Sequence, residues 1–238
     1  MNTLAFTADS ALFARLIETA ALFAGEDSTL PMLAAVRLER HDNELLAIGT
    51  DRFRLGCVRI NVKWDDQAPA DWATLITRED VAQIITSYKP KGKGRRVDDL
   101  AVGVRPSPDR PTTCQLVLTK AGSSITLTID PLDEGFPKWR GLLKTSVAAT
   151  SAPLSERTAV LNLDLLKTFE KVKWSTNDSL NIEYGTDPSR PVTITCGQHF
   201  LGIQMPIREQ DRSAWDAVLE SSNLPDHSLG LELPLVAA

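Results

Sequence analysis

The sequence predicts an α+β fold of repeated strand–helix–three-strand units, with the helices on one face of antiparallel sheets. Three observations lead there. Apolar residues recur at helical spacing in three separate segments. Each of these segments is followed by runs in which apolar and polar residues alternate, broken by turn residues. The whole order returns at intervals of roughly 70–80 residues, as an internal repeat does.

In the first unit, Asp9 or Ser10 can cap a helix that carries Leu12, Phe13, Leu16, Ile17, Ala20 and Phe23 and stops at Gly25. Val36 and Leu38 then alternate with charged residues, and His41-Asp42-Asn43 supplies a turn. Leu46 and Ile48 alternate in a second strand, and Val58, Ile60 and Val62 make a third. The second unit opens with a short strand, Ala73–Ile76. Thr77 follows as N-cap of a helix carrying Val81, Ile84, Ile85 and Tyr88. Strands are expected at Leu100–Val104, Gln115–Thr119 and Ser124–Asp130, with Lys120-Ala121-Gly122-Ser123 as the hairpin between the last two. The third unit starts at Ala159–Leu161 and has a helix with Leu165, Leu166, Phe169 and Val172. Its strands hold Leu180, Ile182 and Tyr184, then Val192, Ile194 and Cys196, then Leu201, Ile203 and Met205. Lys144–Glu156, rich in Ser, Thr, Ala and Pro, reads as a linker. Beyond Arg208 the pattern gives a short helix with Trp215, Val218 and Leu219, then an apolar tail, Leu229–Val236. The expected organisation is a complete domain over residues 1–143, a linker over 144–158, and an abbreviated or rearranged domain over 159–238.

Composition narrows the function. At 42% hydrophobic and 24% charged residues the chain is ordinary for a soluble globular protein. A net charge of −5 argues against a protein that coats nucleic acid with a basic exterior, while leaving room for a local basic stripe. No apolar run approaches the ~18 residues of a membrane span, and the first residues lack the basic-then-apolar pattern of a secretory signal. The three cysteines, Cys57, Cys114 and Cys196, are far apart, odd in number and without paired spacing, so they read as reduced, buried thiols in a cytoplasmic protein. There is no glycine-rich phosphate loop after a strand, no metal-ligand cluster among His41, His199 and His227, and no Ser-His-Asp signature. We expect no catalytic residues, no metal and no cofactor. Asp51 reads as a turn or salt-bridge residue beside Arg52 and Arg54.

Three segments carry a resemblance. Thr29-Leu30-Pro31-Met32-Leu33, then Val36-Arg37-Leu38, then Thr50-Asp51-Arg52-Phe53-Arg54-Leu55 resemble, in order and spacing, the middle domain of the bacterial β-type DNA sliding clamp, the DNA polymerase III β subunit family, especially its actinobacterial versions. Asp133-Glu134-Gly135-Phe136-Pro137-Lys138-Trp139-Arg140 is similar to the sequence closing that domain. Leu201-Gly202-Ile203-Gln204-Met205-Pro206-Ile207-Arg208 is similar to the end of the family's last domain. The family's first domain has no counterpart here, and the last keeps only its second half.

The resemblance implies a DNA-clamp fold and a non-catalytic processivity factor that encircles duplex DNA and recruits polymerase and clamp-loader proteins through a peptide pocket. It implies a homo-oligomeric ring: a trimer if the C-terminal residues rebuild the missing half-domain, with a tetramer or a dimer also open. Candidate DNA contacts are Lys167 and Lys171, one turn apart on the third helix, with Lys173 nearby, Arg15 on the first helix, and the run Lys89, Lys91, Lys93, Arg95 and Arg96, which taken alone reads first as a solvated surface charge run. The implied pocket has Thr50, Arg54 and Leu55 on one wall and Ile203, Met205, Pro206 and Ile207 on the other, with Leu143 near the connecting segment. Each apolar member reads alternatively as core. The tail Gly230–Leu235 is either a last strand or itself a clamp-binding peptide. The rival function is a clamp-like adaptor, phage-encoded on this reading, that binds host replication or transcription proteins without enclosing DNA.

Overall fold

The computed structural model describes residues 3–27, 29–89, 98–108, 114–129, 135–148, 159–183, 187 and 189–207. The chain divides into Met1–Ile207 and Arg208–Ala238. The second part lies wholly outside the described residues, and with it the expected Trp215 helix and the 229–236 tail. Tyr184 and the later part of the expected linker, 149–158, lie outside them as well.

Strand β1 (Thr3–Asp9) runs directly into helix α1 (Ser10–Ala21). Asp9 is the cap: its carboxylate accepts from the backbone N–H of Ala11 at 2.8 Å and Leu12 at 3.0 Å, satisfying donors a helix start leaves free. Then come β2 (Ala35–His41), β3 (Glu44–Thr50), β4 (Arg54–Asn61) and the two-residue β5 (Lys63–Trp64). The expected turn between β2 and β3 is present, with Asp42 at φ 51. Strand β6 (Ala73–Thr77) leads to α2 (Arg78–Tyr88), which starts in a full capping box between Thr77 and Asp80. Strands β7 (Asp99–Pro106), β8 (Cys114–Lys120) and β9 (Ser123–Ile129) follow; Cys57 and Cys196 are buried as expected, but Cys114, at the first position of β8, is exposed. Ala121 and Gly122, both at positive φ, turn β8 into β9.

Among the described residues two sheets result, one in the order β5-β1-β7-β8-β9 and one in which β10 (Leu180–Glu183), β11 (Val192–Cys196) and β12 (Phe200–Gln204) are followed by β4-β3-β2-β6. Each of the first two units gives its opening strand to the other's sheet. β1 pairs with β7, and β6 pairs with β2. The exchange locks the two units into one body whose core lies between the sheets and α1 and α2.

The third unit departs from the expected pattern. Residues 159–162 form no ladder, and the helix is one α-turn, α4 (Leu163–Leu166), tightened into a 3-10 turn over Lys167–Val172. That tightening rotates the apolar face, so Phe169 and Val172 are buried while Leu165 and Leu166 are only half-buried. Strands β10 (Leu180–Glu183), β11 (Val192–Cys196) and β12 (Phe200–Gln204) then extend the larger sheet, β12 pairing with β4 from Phe200 opposite Val58 to Gln204 opposite Arg54.

That pairing depends on two small residues. Gly56 and Gly202 face each other across the ladder. A Cβ on Gly56 would run into the ring of Phe23, and one on Gly202 would lie 2.7 Å from the ring of Phe200. The space they leave holds three rings: Phe23 lies 5.0 Å from Phe169 and 5.3 Å from Phe200, and Phe169 lies 5.9 Å from Phe200. Such pairs add about 0.5–1.5 kcal/mol each beyond area burial.

The opposite face of the larger sheet is also covered. Residues 144–148, expected as linker, belong instead to α3 (Trp139–Ala148). Trp139, Leu143 and Ser146 recur at helical spacing and are buried. Phe136, Trp139 and Leu143 pack on Leu46, Ile48, Leu55 and Cys57. Glu39, 4% exposed, pins this cover to the sheet. It accepts from Arg37 Nε at 2.8 Å and from Trp139 Nε1 at 3.4 Å, and its other oxygen meets Arg140. Burial, with the charge of Glu39 added, pushes the Cys57 thiol up to about 12.

Two outcomes follow. Gly56→Ala should lower unfolding free energy in urea by about 1–3 kcal/mol through overpacking against Phe23, whereas Gly141→Ala, in open space on α3, should be neutral or raise it by up to about 1 kcal/mol. Glu39→Gln should cost about 1–3 kcal/mol and speed amide hydrogen exchange across 136–148 more than in β2 or β3.

Candidate functional site

Where β12 meets β4, the sequence Thr-Asp-Arg-Phe-Arg folds back on itself. Asp51 Oδ1 accepts from the backbone N–H of Phe53 at 3.0 Å and of Arg54 at 2.7 Å, and Thr50 Oγ1 donates to the Arg54 carbonyl at 2.8 Å. Arg52 takes φ 78, a left-handed conformation uncommon for a non-glycine residue, to close the turn. This lifts Phe53 into solvent, 59% exposed. The Phe53 carbonyl then accepts from Met205 N at 2.7 Å, and Ile207 N donates to the Val160 carbonyl at 2.7 Å. Gln204 Nε2 reaches the Asn162 carbonyl at 3.1 Å.

These bonds bring Phe53, Met205, Ile207 and Val160 together through their backbones at one end of the β4–β12 pair, and Leu163 opens α4 just beyond. They are five of the eight exposed large hydrophobic side chains described. Apolar exposure gathered at one end of a sheet is worth examining as a candidate surface, whereas scattered exposure is ordinary. Beneath the cluster, Thr50, Leu55, Leu143 and Ile203 are buried at 4%, 1%, 7% and 4% exposure. Leu55 and Ile203 are direct partners in the ladder and share a cluster with Leu143.

The expected pocket residues therefore separate into layers. Thr50, Leu55, Leu143 and Ile203 lie below the surface, while Met205, Pro206 and Ile207 form the accessible rim. Arg54 goes elsewhere, because alternate residues of a strand point to opposite faces. Its guanidinium is held by Asp51 Oδ2 at 2.9 Å and 2.6 Å, by Thr168 Oγ1, and against the Phe23 ring at 5.9 Å. On that face it lines a cleft of about 640 Å³ with Glu18, Asp51, Arg78 and Lys171. Phe53, Val160 and Leu163 were not among the expected pocket residues. Phe53 stands in the Thr-Asp-Arg-Phe segment already singled out, but only the turn geometry shows that it projects.

The expected DNA contacts also divide. Lys91, Lys93, Arg95 and Arg96 lie outside the described residues. Arg15, the exposed residue of α1, donates to the Lys173 carbonyl and lies 5.3 Å from the Trp174 ring. Trp174 stacks on His199 at 4.4 Å, and the loop is fixed by Asp178, whose carboxylate accepts from Ser175 N and Trp174 N and is held below its ordinary pKa by those two bonds. Arg15 and Lys173 are thus brought together, with Lys171 exposed nearby in sequence. Lys89 is paired with Glu18 at 2.6 Å and Lys167 with Asp164 at 3.0 Å.

Among the described residues no group of three or more His, Cys, Asp or Glu side chains could hold a metal ion. Among them no helix is long and apolar enough to cross a membrane.

Comparison with known proteins bears on the fold. Residues 7–87 match the family described as DNA polymerase III beta subunit, central domain. A DNA polymerase sliding clamp from Pseudomonas aeruginosa, solved with ligand, superposes with a TM-score of 0.65 at 11% identity, covering 87% of this chain and 67% of that one. A second structure of the Pseudomonas aeruginosa clamp gives 0.63 at 10% identity over 87% and 68%. The DNA polymerase III beta subunit of Thermotoga maritima gives 0.61 at 15% identity over 87% and 66%. The chain thus spans about two thirds of the length of these proteins. Its fold is that of the bacterial sliding clamps, and through residues 7–87 it is a beta-clamp-like chain.

Proposed function

We propose that the protein is a DNA sliding clamp, a processivity factor that encloses duplex DNA as a homo-oligomeric ring and recruits a polymerase through a short peptide. The observation that carries this reading is the apolar border formed by Phe53, Met205, Ile207, Val160 and Leu163 where β12 joins β4. An extended peptide with apolar side chains suits such a surface. Phe53 offers an aromatic anchor, and the unbranched Met205 adapts to different ligands. In this reading residues 1–143 form one complete domain, 159–238 a second, and a trimer closes the ring. DNA is held by enclosure, with Arg15, Lys171 and Lys173 supplying loose phosphate contacts that carry no sequence information.

One observation favours a second reading, a clamp-like adaptor that never encloses DNA. The charges of α1 and α2 lean negative: Arg15 and Arg78 stand against Glu18, Glu79 and Asp80. A surface of this kind attracts a phosphate backbone weakly. Retention on closed circular DNA with release upon linearisation supports enclosure. Peptide binding without such retention selects the adaptor.

The peptide site is tested by Phe53→Ala combined with Met205→Ala, which should weaken binding of an apolar polymerase-derived peptide by about 10–100-fold in fluorescence anisotropy, as loss of a central anchor does. Leu55→Ala is an unsuitable probe, since a fully buried Leu costs about 2–5 kcal/mol of fold stability. Lys171→Glu with Lys173→Glu should shorten DNA retention and reduce the salt slope of binding by about 0.9 for each phosphate no longer neutralised. Unchanged retention removes those lysines from the proposal.

A further inference from the structure

Gln204 ends β12 between Ile203, which packs on the α3 side, and the exposed Met205. It is fully buried, and a buried amide is unfavourable unless both of its polar groups find partners. Here only one does. Nε2 donates to the Asn162 carbonyl at 3.1 Å, while Oε1 has no partner among the described residues. Chemistry fixes this orientation, since only the NH2 group can face a carbonyl. Nor does that carbonyl lack a donor, because Leu166 N already reaches it at 3.0 Å. Core packing does not call for such a residue.

What the amide holds is the other half of the apolar border. Residues 159–162 form no ladder. Among the described residues two hydrogen bonds join this stretch to the end of β12 and the residues after it: Ile207 N to the Val160 carbonyl, and Gln204 Nε2 to the Asn162 carbonyl. Asn162 is also the N-cap of α4, its Oδ1 accepting from Asp164 N at 2.9 Å and Leu165 N at 3.3 Å. Arg54, opposite Gln204 in the ladder, reaches the same helical segment further along, at Thr168 Oγ1. We infer that Gln204 is a positioning residue for peptide binding: its amide clasps Asn162, and so holds Val160 and Leu163 beside Met205 and Ile207. This rests on the peptide reading of the border above and adds what keeps the border in one shape before a ligand arrives. Being wholly buried, Gln204 does not touch the peptide. A surface whose two halves are already in place binds without the entropy loss of ordering one of them.

Gln204→Met keeps the length and the apolar stem of the side chain. It removes the donor together with the unpartnered acceptor and leaves the Asn162 carbonyl to Leu166 N. Its thermal midpoint should equal or exceed that of the unmodified chain; a clearly lower midpoint assigns Gln204 to the core and overturns the inference. Binding is read by fluorescence anisotropy with a labelled Gln-Leu-Asp-Leu-Phe peptide, an extended segment with alternate apolar side chains. The expected result is affinity lowered about 10-fold, with faster amide exchange at 164–166 and none in β11 or β12. In a Val160→Ala, Leu163→Ala background the same substitution should lower affinity by less than about 2-fold, because nothing is left for the clasp to position. An equal loss in both backgrounds overturns the inference, since Gln204 then acts through the fold at large. Unchanged affinity, or unchanged exchange at 164–166, overturns it as well. No binding by the unmodified chain overturns the peptide reading and this role with it, and the exchange measurement keeps that result apart from a failure of the clasp itself.

Discussion

The close approach of β4 and β12 through Gly56 and Gly202 is the constraint on which the molecule turns. A side chain at either position pushes into the rings of Phe23 or Phe200, and those rings with Phe169 tie the end of α1, the 3-10 turn and β12 into one cluster. Without that ladder, residues 54 and 204, far apart in sequence, would not be neighbours, and the border that exposes Phe53 and Met205 would not exist. Packing on the helix side thus determines which side chains the end of the sheet exposes.

Both faces of the larger sheet are covered, and this explains what was and was not legible in the sequence. Helix starts were readable because their signals are local: Asp9 before Ser10, and Thr77 with Asp80, satisfy nearby N–H groups within one turn. β3 shows almost no alternation because Leu45 and Ala47 lie under the helices while Leu46 and Ile48 lie under α3. The C-terminal half of α3 was obscured by a Ser, Thr and Ala composition that suits a linker as well as a helix; Trp139, Leu143 and Ser146 decide it only once the sheet they cover is known. The motif that placed Arg54 beside Leu55 was sound in sequence, yet strand geometry sends the two side chains to opposite faces. Motif order carried the fold further than it carried the site.

The charges are used mostly in local ties. Asp51 holds Arg54, Glu39 holds Arg37 and Arg140, Glu18 holds Lys89, and Arg15 is engaged by Lys173 and Trp174. Among the described residues, what remains for a polyanion is sparse, which under the proposed clamp reading suits a molecule that lets DNA move. A strongly basic lining would bind duplex tightly and resist sliding. Enclosure and weak contact are complementary in this respect, because topology supplies residence time that electrostatics then need not supply.

Cys57 sits on the covered face of β4 beneath Phe136, Trp139 and Leu143, its sulfur kept neutral by burial and by the neighbouring carboxylate of Glu39. A thiol so placed has no nucleophilic form until the overlying segment lifts. The protein therefore carries an internal clock for the breathing of its own back layer. At reagent concentrations high enough for alkylation to outrun reclosing, the rate of Cys57 modification is the rate at which this cover opens.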